Sequence, residues 1–282
     1  MNRSSTPLLP VCALVLILTA CDRPTSSSNG PASAVPPAPT SASPPTTPSA
    51  GAATPAPATS AITNEAGVVP ALAAHFDGEP ALGPSSAFEA VVGDWHIAQA
   101  GGATGFEVDG SKWRDGVPSS NLAEQAKRLY GDRYAEFLDG VKAFAFYPLA
   151  IYKEPPPGGD LRLSVRFYPI AGKIDQGAGI AFGITPSGSY TGVRANALED
   201  NLLYFTVTKG KRNVIDTVRN VLTPTRTWHT LVLEIRGKQL VVEVDDAKRF
   251  EKNLESVPVG RVGLWSKADS QVLFDDFEVT KL

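Results

Sequence analysis

Cysteine is almost missing from this chain: two occur in 282 residues, Cys12 and Cys21, both near the N-terminus. No thiol follows Cys21, which removes disulfide bracing, thiolate nucleophiles and cysteine zinc sites from everything downstream. Histidine is scarce too, with His75, His96 and His229 dispersed along the chain. A paired-histidine zinc site therefore lacks its ligands, and serine hydrolysis lacks both a neighbouring base and the G-x-S-x-G elbow. No sign of charge dominates: 26 Lys and Arg stand against 29 Asp and Glu, a formal charge of -3 with the signs interspersed. Without a basic stripe to neutralise phosphates, nucleic acid is excluded as a partner. The apolar run over 11–18 falls well short of the roughly 20 residues needed to cross a bilayer.

What is present at the start has the layout of a secretion signal: Arg3 in a polar opening, the apolar run, then small residues before a cysteine. Leu18, Thr19, Ala20 and Cys21 resemble a bacterial lipobox. That resemblance implies removal of residues 1–20 together with Cys12, lipidation of Cys21 and membrane attachment in the bacterial cell envelope. Each acyl methylene buried in the bilayer contributes about 0.8 kcal/mol. Residues 21–64 are almost wholly Pro, Ser, Thr, Ala and Gly, with no charge between Arg23 and Glu65. Such a composition cannot bury enough apolar surface to offset its ordering entropy, so a disordered tether is expected. In polyproline II, at about 3.1 Å per residue, it would reach on the order of 100 Å.

From 65 to 282 the pattern changes to short alternating runs punctuated by Gly, Pro, Asn and Asp, which predicts an all-β, antiparallel sandwich. The clearest strands are 161–169, 178–185, 202–208, 228–236, 240–246, 260–266 and 272–280, with another near 105–109. In the 228–236 run, His229, Leu231, Leu233 and Ile235 share one face, which gives His229 a hydrogen-bonded core place. Lys209, Gly210, Lys211 and Arg212 fit a hairpin turn, with Gly210 supplying positive φ. One helix is expected inside a long insert over 110–140: Asn121 and Glu124 have capping-box spacing, Leu122, Ala126 and Leu129 recur at helical spacing, and Gly131 stops it.

The stretch YTGVRANALEDN, 190–201, poses the functional question. As a strand it sends Val193 and Ala195 one way and Arg194 and Asn196 the other. The second face could be a sugar-binding floor, a catalytic wall or a hydrogen-bonded scaffold. In DQGAGIAFG, Ala178, Ile180 and Phe182 share one parity while Gly177, Gly179, Ala181 and Gly183 share the other, which leaves room above the strand. Asp175, Tyr190, Arg194, Asn196 and Tyr204 are the candidate ligand-binding residues, expected on the parity away from the core. Aromatic faces accept sugar C–H groups and planar polar groups take directional hydrogen bonds, so a glycan is the expected partner. The scaffold alternative pairs Arg194 with Asp175 or Glu199.

Glycosidic hydrolysis by a sandwich glucanase needs two carboxylates about 5 Å apart, usually from an alternating Glu, Asp, Glu triplet. Only incomplete versions occur, Glu243 with Asp245 and Asp276 with Glu278. Asp275 or Asp276 could instead offer hard oxygens to a structural calcium ion with loop carbonyls near Asp77; no other cofactor is expected.

The phrases GKIDQGAGIAF (172–182), YTGVRANALEDN, TWHTL (227–231) and GRVGLWSKADSQVLFDDFEV (260–279) together resemble the concanavalin A-like lectin/glucanase superfamily. Within it they are similar to bacterial domain-of-unknown-function 1080 proteins, also labelled 3-keto-disaccharide hydrolases. The resemblance implies a jelly roll whose concave sheet is the ligand face. The leading expectation is a lipid-anchored envelope protein with a non-catalytic carbohydrate-binding domain. Hydrolysis of 3-keto or otherwise modified disaccharides, with Asp175 as base and Arg194 as oxyanion stabiliser, is the first alternative. A structural envelope protein that binds another protein through the helical insert is the second.

Overall fold

The computed structural model describes residues 69–112, 122–141 and 147–282. The signal, Cys21, the tether and Asn121 lie outside the described residues. No helix among those described is long and apolar enough to cross a membrane.

Among the described residues fifteen strands build two antiparallel sheets. In chain order they are β1 (Leu72–Ala74), β2 (Phe88–Val92), β3 (Trp95–Ala100), β4 (Ala103–Asp109), β5 (Leu149–Tyr152), β6 (Leu161–Ala171), β7 (Gly177–Ile184), β8 (Tyr190–Asn196), β9 (Asn201–Thr208), β10 (Lys211–Arg219), β11 (His229–Arg236), β12 (Gln239–Val244), β13 (Ala247–Asn253), β14 (Arg261–Ser266) and β15 (Gln271–Lys281). The first sheet runs β13-β12-β11-β6-β15-β4-β3, with β1 also pairing to β15; the second runs β10-β9-β8-β7-β14-β5-β2. Non-sequential neighbours in both sheets are the mark of a jelly-roll sandwich, as the alternation predicts.

The inward parity of each strand fills the space between the sheets. Ala178, Ile180, Phe182, Val193 and Ala195 from the second sheet meet Leu163, Val165, Phe167, Leu231 and Leu233 from the first in one buried cluster. At the β2 and β4 end, Phe76, Phe88, Phe106, Trp95 and Phe277 continue it with ring centroids 5.2 to 6.2 Å apart. Such offset and edge-on pairs add about 0.5–1.5 kcal/mol each beyond their burial.

Turn chemistry fixes the hairpins. Lys209 and Gly210 both take positive φ, as do Gly101 with Gly102 and Asp245 with Asp246. Two successive positive-φ residues make the type I′ turn whose twist suits tight antiparallel hairpins.

The expected helical insert is present, and among the described residues it carries α1 (Leu122–Tyr130), a short 3-10 turn Gly131–Arg133, then α2 (Tyr134–Val141). The second is held by tertiary packing. Phe137 is completely buried and stacks on Tyr130 at 4.8 Å. Arg128 clamps α1 to β2 through two 2.8 Å bonds to the Glu89 carboxylate. Beneath the helices lies a second apolar cluster on the outer face of the second sheet, including Val91, Ala126, Leu129, Ile151, Tyr190, Phe205 and Trp265.

Candidate ligand-binding site

The outer face of β8 does carry Arg194 and Asn196 together, but it is not an open floor. Asp175 and Asn196 are 0 % exposed and Arg194 is 1 % exposed. The room that glycine leaves is filled from within. A Cβ at Gly179 would stand 3.2 Å from Arg194 Cβ, one at Gly177 3.3 Å from Arg194 Cδ, and one at Gly192 2.4 Å from the Phe205 ring. The small residues of β7 and β8 thus accommodate the arginine stem and a phenylalanine rather than a ligand. Tyr190 is buried in the outer aromatic cluster and accepts a 2.9 Å bond from Trp265 Nε1. Tyr204 corrects the parity expectation outright: it stands opposite Val193 in the β8–β9 register and therefore faces the inter-sheet core, 6.0 Å from the Phe250 ring.

The polar residues of this face bond mainly to one another. Arg194 donates from Nη1 to Asn201 Oδ1 at 3.2 Å and from Nη2 to Glu199 Oε2 at 3.1 Å. Asn196 Nδ2 donates to Asp175 Oδ1 at 3.0 Å, while Lys267 Nζ donates to Asp175 Oδ2. Asn196 Oδ1 accepts from the Gln176 and Leu198 backbone amides, closing the turn on either side. Burial raises the Asp175 carboxyl above its ordinary range, against the pull of Arg194 and Lys267. Burial also acts on Glu199, but bonds from Asn201 and the Arg194 charge outweigh it and hold that carboxyl low. The scaffold alternative, with Glu199 as the arginine's partner, is the geometry observed.

Asp269 is a member that alternation could not reveal. Its carboxylate accepts from three successive backbone amides, Lys173, Ile174 and Asp175, at 2.7 to 3.0 Å. It thereby fixes the β6–β7 connection that delivers Asp175. Ser270 Oγ completes the join by accepting from the Gly177 amide at 3.0 Å.

The acids considered for calcium are already engaged. Asp276 accepts from Arg166 Nη1 at 2.8 Å and contacts His75 Nδ1 at 2.7 Å. Asp275 Oδ1 accepts the Asp276 backbone amide at a bulge where Asp276 takes a positive φ. Calcium takes six to eight oxygens, and among the described residues no group of three or more His, Cys, Asp or Glu side chains is placed to hold a metal ion. His229 holds the core position expected, with Nδ1 2.8 Å from Asp245 Oδ2 and Nε2 3.1 Å from the Pro224 carbonyl oxygen. Asp245 is thereby taken from the incomplete carboxylate pair into a turn.

Two cavities among the described residues stand out. The larger, of about 460 Å³, lies between the open ends of β2, β3 and β4 and α1, floored by Phe88, Trp95 and Phe106. Its charged members answer each other or the backbone: Arg128 pairs with Glu89, and Lys153 donates to the Ser85 and Ser86 carbonyls. The smaller, of about 260 Å³, opens at the other end of the sandwich between β8, β9 and the loop over 253–259. Thr191 and Thr206, directly opposite each other in register and half-exposed, form its floor. Thr185, Ser189, Asn253 and Glu255 stand around it, Tyr204 and Tyr190 border it, and Ile215, Pro258 and Val259 give it an apolar rim. Neither Lys nor Arg lines it. Burial, and next the Glu255 charge, raise the Tyr204 hydroxyl. Sequence reasoning missed this site, although one signal existed: Thr206 ends the row that begins Leu202, Tyr204, marking where the core row reaches solvent.

No family model and no curated protein sequence matches the chain. Among solved structures, the fold is similar to that of the carbohydrate-binding module CBM66 from Bacillus subtilis, at 13 % identity and a TM-score of 0.50, over 72 % of this chain and 100 % of that one. Weaker likenesses include galectin LEC-6 of Caenorhabditis elegans, at 15 % identity and TM-score 0.39 over 48 % of this chain and 94 % of that one. Another is a galectin-like protein of unknown function from Bacillus subtilis, at 11 % and 0.40 over 48 % and 77 %. At these identities the likeness concerns the fold, and the fold alone does not assign an activity.

Proposed function

We propose that this protein is a carbohydrate-binding jelly roll that takes a neutral sugar unit in the cleft between β8, β9 and the 253–259 loop. The carrying observation is the lining: threonine and serine hydroxyls, a carboxamide, a carboxylate and an apolar rim, with no cation. Hydroxyls donate and accept at once, which matches a sugar's own hydroxyls, and the aliphatic rim accepts its C–H faces. Pockets for drug-sized ligands run about 300–1,000 Å³, so the 260 Å³ cleft suits about one ring of a longer glycan. The carbohydrate-binding name of the CBM66 module supports the reading. Tyr190 and Tyr204 keep a part in it as lining, while Asp175, Arg194 and Asn196 serve as the scaffold behind. Attachment through a lipidated Cys21 in the bacterial envelope, and kinship to the domain-of-unknown-function 1080 proteins, belong to the same proposal.

Titration of the full-length protein with neutral oligosaccharides, preceded by a glycan array, tests it. Thr191→Val with Thr206→Val removes two hydrogen-bonding groups worth about 1 kcal/mol each, so affinity is expected to fall about tenfold or more with little change in thermal stability. Unchanged affinity in the double variant would refute the site.

A second reading, hydrolysis of a modified disaccharide, draws on the raised carboxyl of Asp175, because perturbed carboxyls are common at catalytic centres. It requires a substrate to reach a side chain that is fully buried and has both oxygens engaged.

A further inference from the structure

We infer that the cleft discriminates glycans by charge: it favours a sugar bearing a free amine over its acetylated counterpart and disfavours uronic acids. The inference rests on the sugar-binding reading above and adds the class of ligand. Glu255 is the one charged residue that lines the cleft, and it is exposed. Among the described residues it has no salt bridge to spend its charge on. Lys238 approaches the same residue but donates to the Glu255 backbone carbonyl, at 2.8 Å, not to the carboxylate. Lys252, on the neighbouring β13, is held by Asp216 of β10 at 2.6 Å. A ligand in the cleft therefore meets one carboxylate that has no salt bridge among the described residues, set among neutral hydroxyls. The field of that carboxylate extends over the floor, since it helps to raise the Tyr204 hydroxyl.

An ammonium group about 4 Å from an exposed carboxylate gains about 1.7 RT of attraction in water, which reads as about a fivefold preference at low salt. A uronate in the same place meets repulsion of similar size. The preference is electrostatic and exposed, so it should shrink as the screening length falls from about 30 Å at 0.01 M salt to about 8 Å at 0.15 M.

The experiment is calorimetric titration of the full-length protein with matched oligomers of glucosamine, N-acetylglucosamine, a neutral hexose and a uronic acid, at both salt concentrations. Galactosamine and N-acetylgalactosamine oligomers repeat the comparison for the other ring epimer. Expected is an amine-to-acetyl preference of about fivefold at low salt that falls at high salt and vanishes in Glu255→Gln, with the uronate bound about fivefold more weakly than the neutral hexose at low salt. Circular dichroism checks that the variant is folded, which its exposed position favours, and Glu255→Ala should behave alike. Equal binding of amine and acetyl forms by the unmodified protein, or a preference that survives Glu255→Gln, would overturn the inference while leaving the sugar site standing. Failure of every sugar, whatever its charge, would overturn both.

Discussion

Asp175 shows how a residue type can be right for a site and wrong for its surface. Carboxylate, guanidinium and carboxamide do gather around β8, as alternation in 190–196 implies, because Val193 and Ala195 are drawn to the inter-sheet core and force Arg194 and Asn196 to the other face. Alternation reports which way a side chain points and is silent on what covers it. Here the glycine hollow is occupied by the Arg194 stem and Phe205, so the residues brace the sheet. The burial of Asp175 has a testable consequence. Its folded carboxyl lies above the ordinary value of 3.8. Its contribution to stability is therefore complete below 3.8 and is lost as pH rises through the folded value. Asp175→Asn has no such loss, so denaturant unfolding is expected to show the variant gaining on the parent as pH rises from below 3.8 to neutrality. A difference independent of pH would contradict the placement of this charge. Thr191, Thr206 and Glu255 were not legible, because threonine in a strand is ordinary and a loop carboxylate has no periodicity to betray it.

Strands that bury one face were legible and strands that bury little were not. β6, β7, β9, β11 and β15 have apolar rows that meet the opposite sheet, whereas β10 (KRNVIDTVR) and β13 (AKRFEKN) are rich in charge and bury little. Both are edge strands, and charge on an edge blocks pairing with other chains. The helices follow the same logic, α1 being announced by spacing and α2 existing because Phe137 has Tyr130 to stack on. Packing between β8 and β9 is close. Gly192→Ala would place a Cβ 2.4 Å from the Phe205 ring, and such overpacking costs about 1–3 kcal/mol. In urea titrations Phe205→Leu should relieve part of that cost, so the double variant loses less than the sum of the two single losses. Strict additivity would mean that the ring does not set the glycine.

For the molecule as a whole, two layers of core explain both its stability and the location of its opening. One cluster fills the space between the sheets, the other lies under the helices, and the outer face that the jelly-roll resemblance implies for a ligand is given to the second. The sandwich end between β9 and the 253–259 loop stays open beside these layers. The N-terminal edge of the domain is fastened by His75 and Asp276, which join the residues following β1 to β15. The Asp276 hydrogen bond raises His75 above its ordinary 6.5. Burial opposes, but bonds from Arg166 and His75 prevail and hold Asp276 below 3.8. The histidine contribution is complete below 6.5 and fades as pH rises through its folded value; the aspartate contribution is complete above 3.8 and fades as pH falls through its own. Both are in force between 3.8 and 6.5, and His75→Gln should cost most in that window. His75 is half-exposed, so the cost should stay below about 1 kcal/mol. A cost that grows above neutral pH would contradict the contact.

The most direct measurement is a crystal structure of the full-length protein grown with a neutral oligosaccharide that it binds in solution. A sugar ring seated over Thr191 and Thr206, with Asn253 and Glu255 at its edge, is the expected result. A ring seated instead beside Arg194 and Trp265, with the threonine cleft left to solvent, would contradict it.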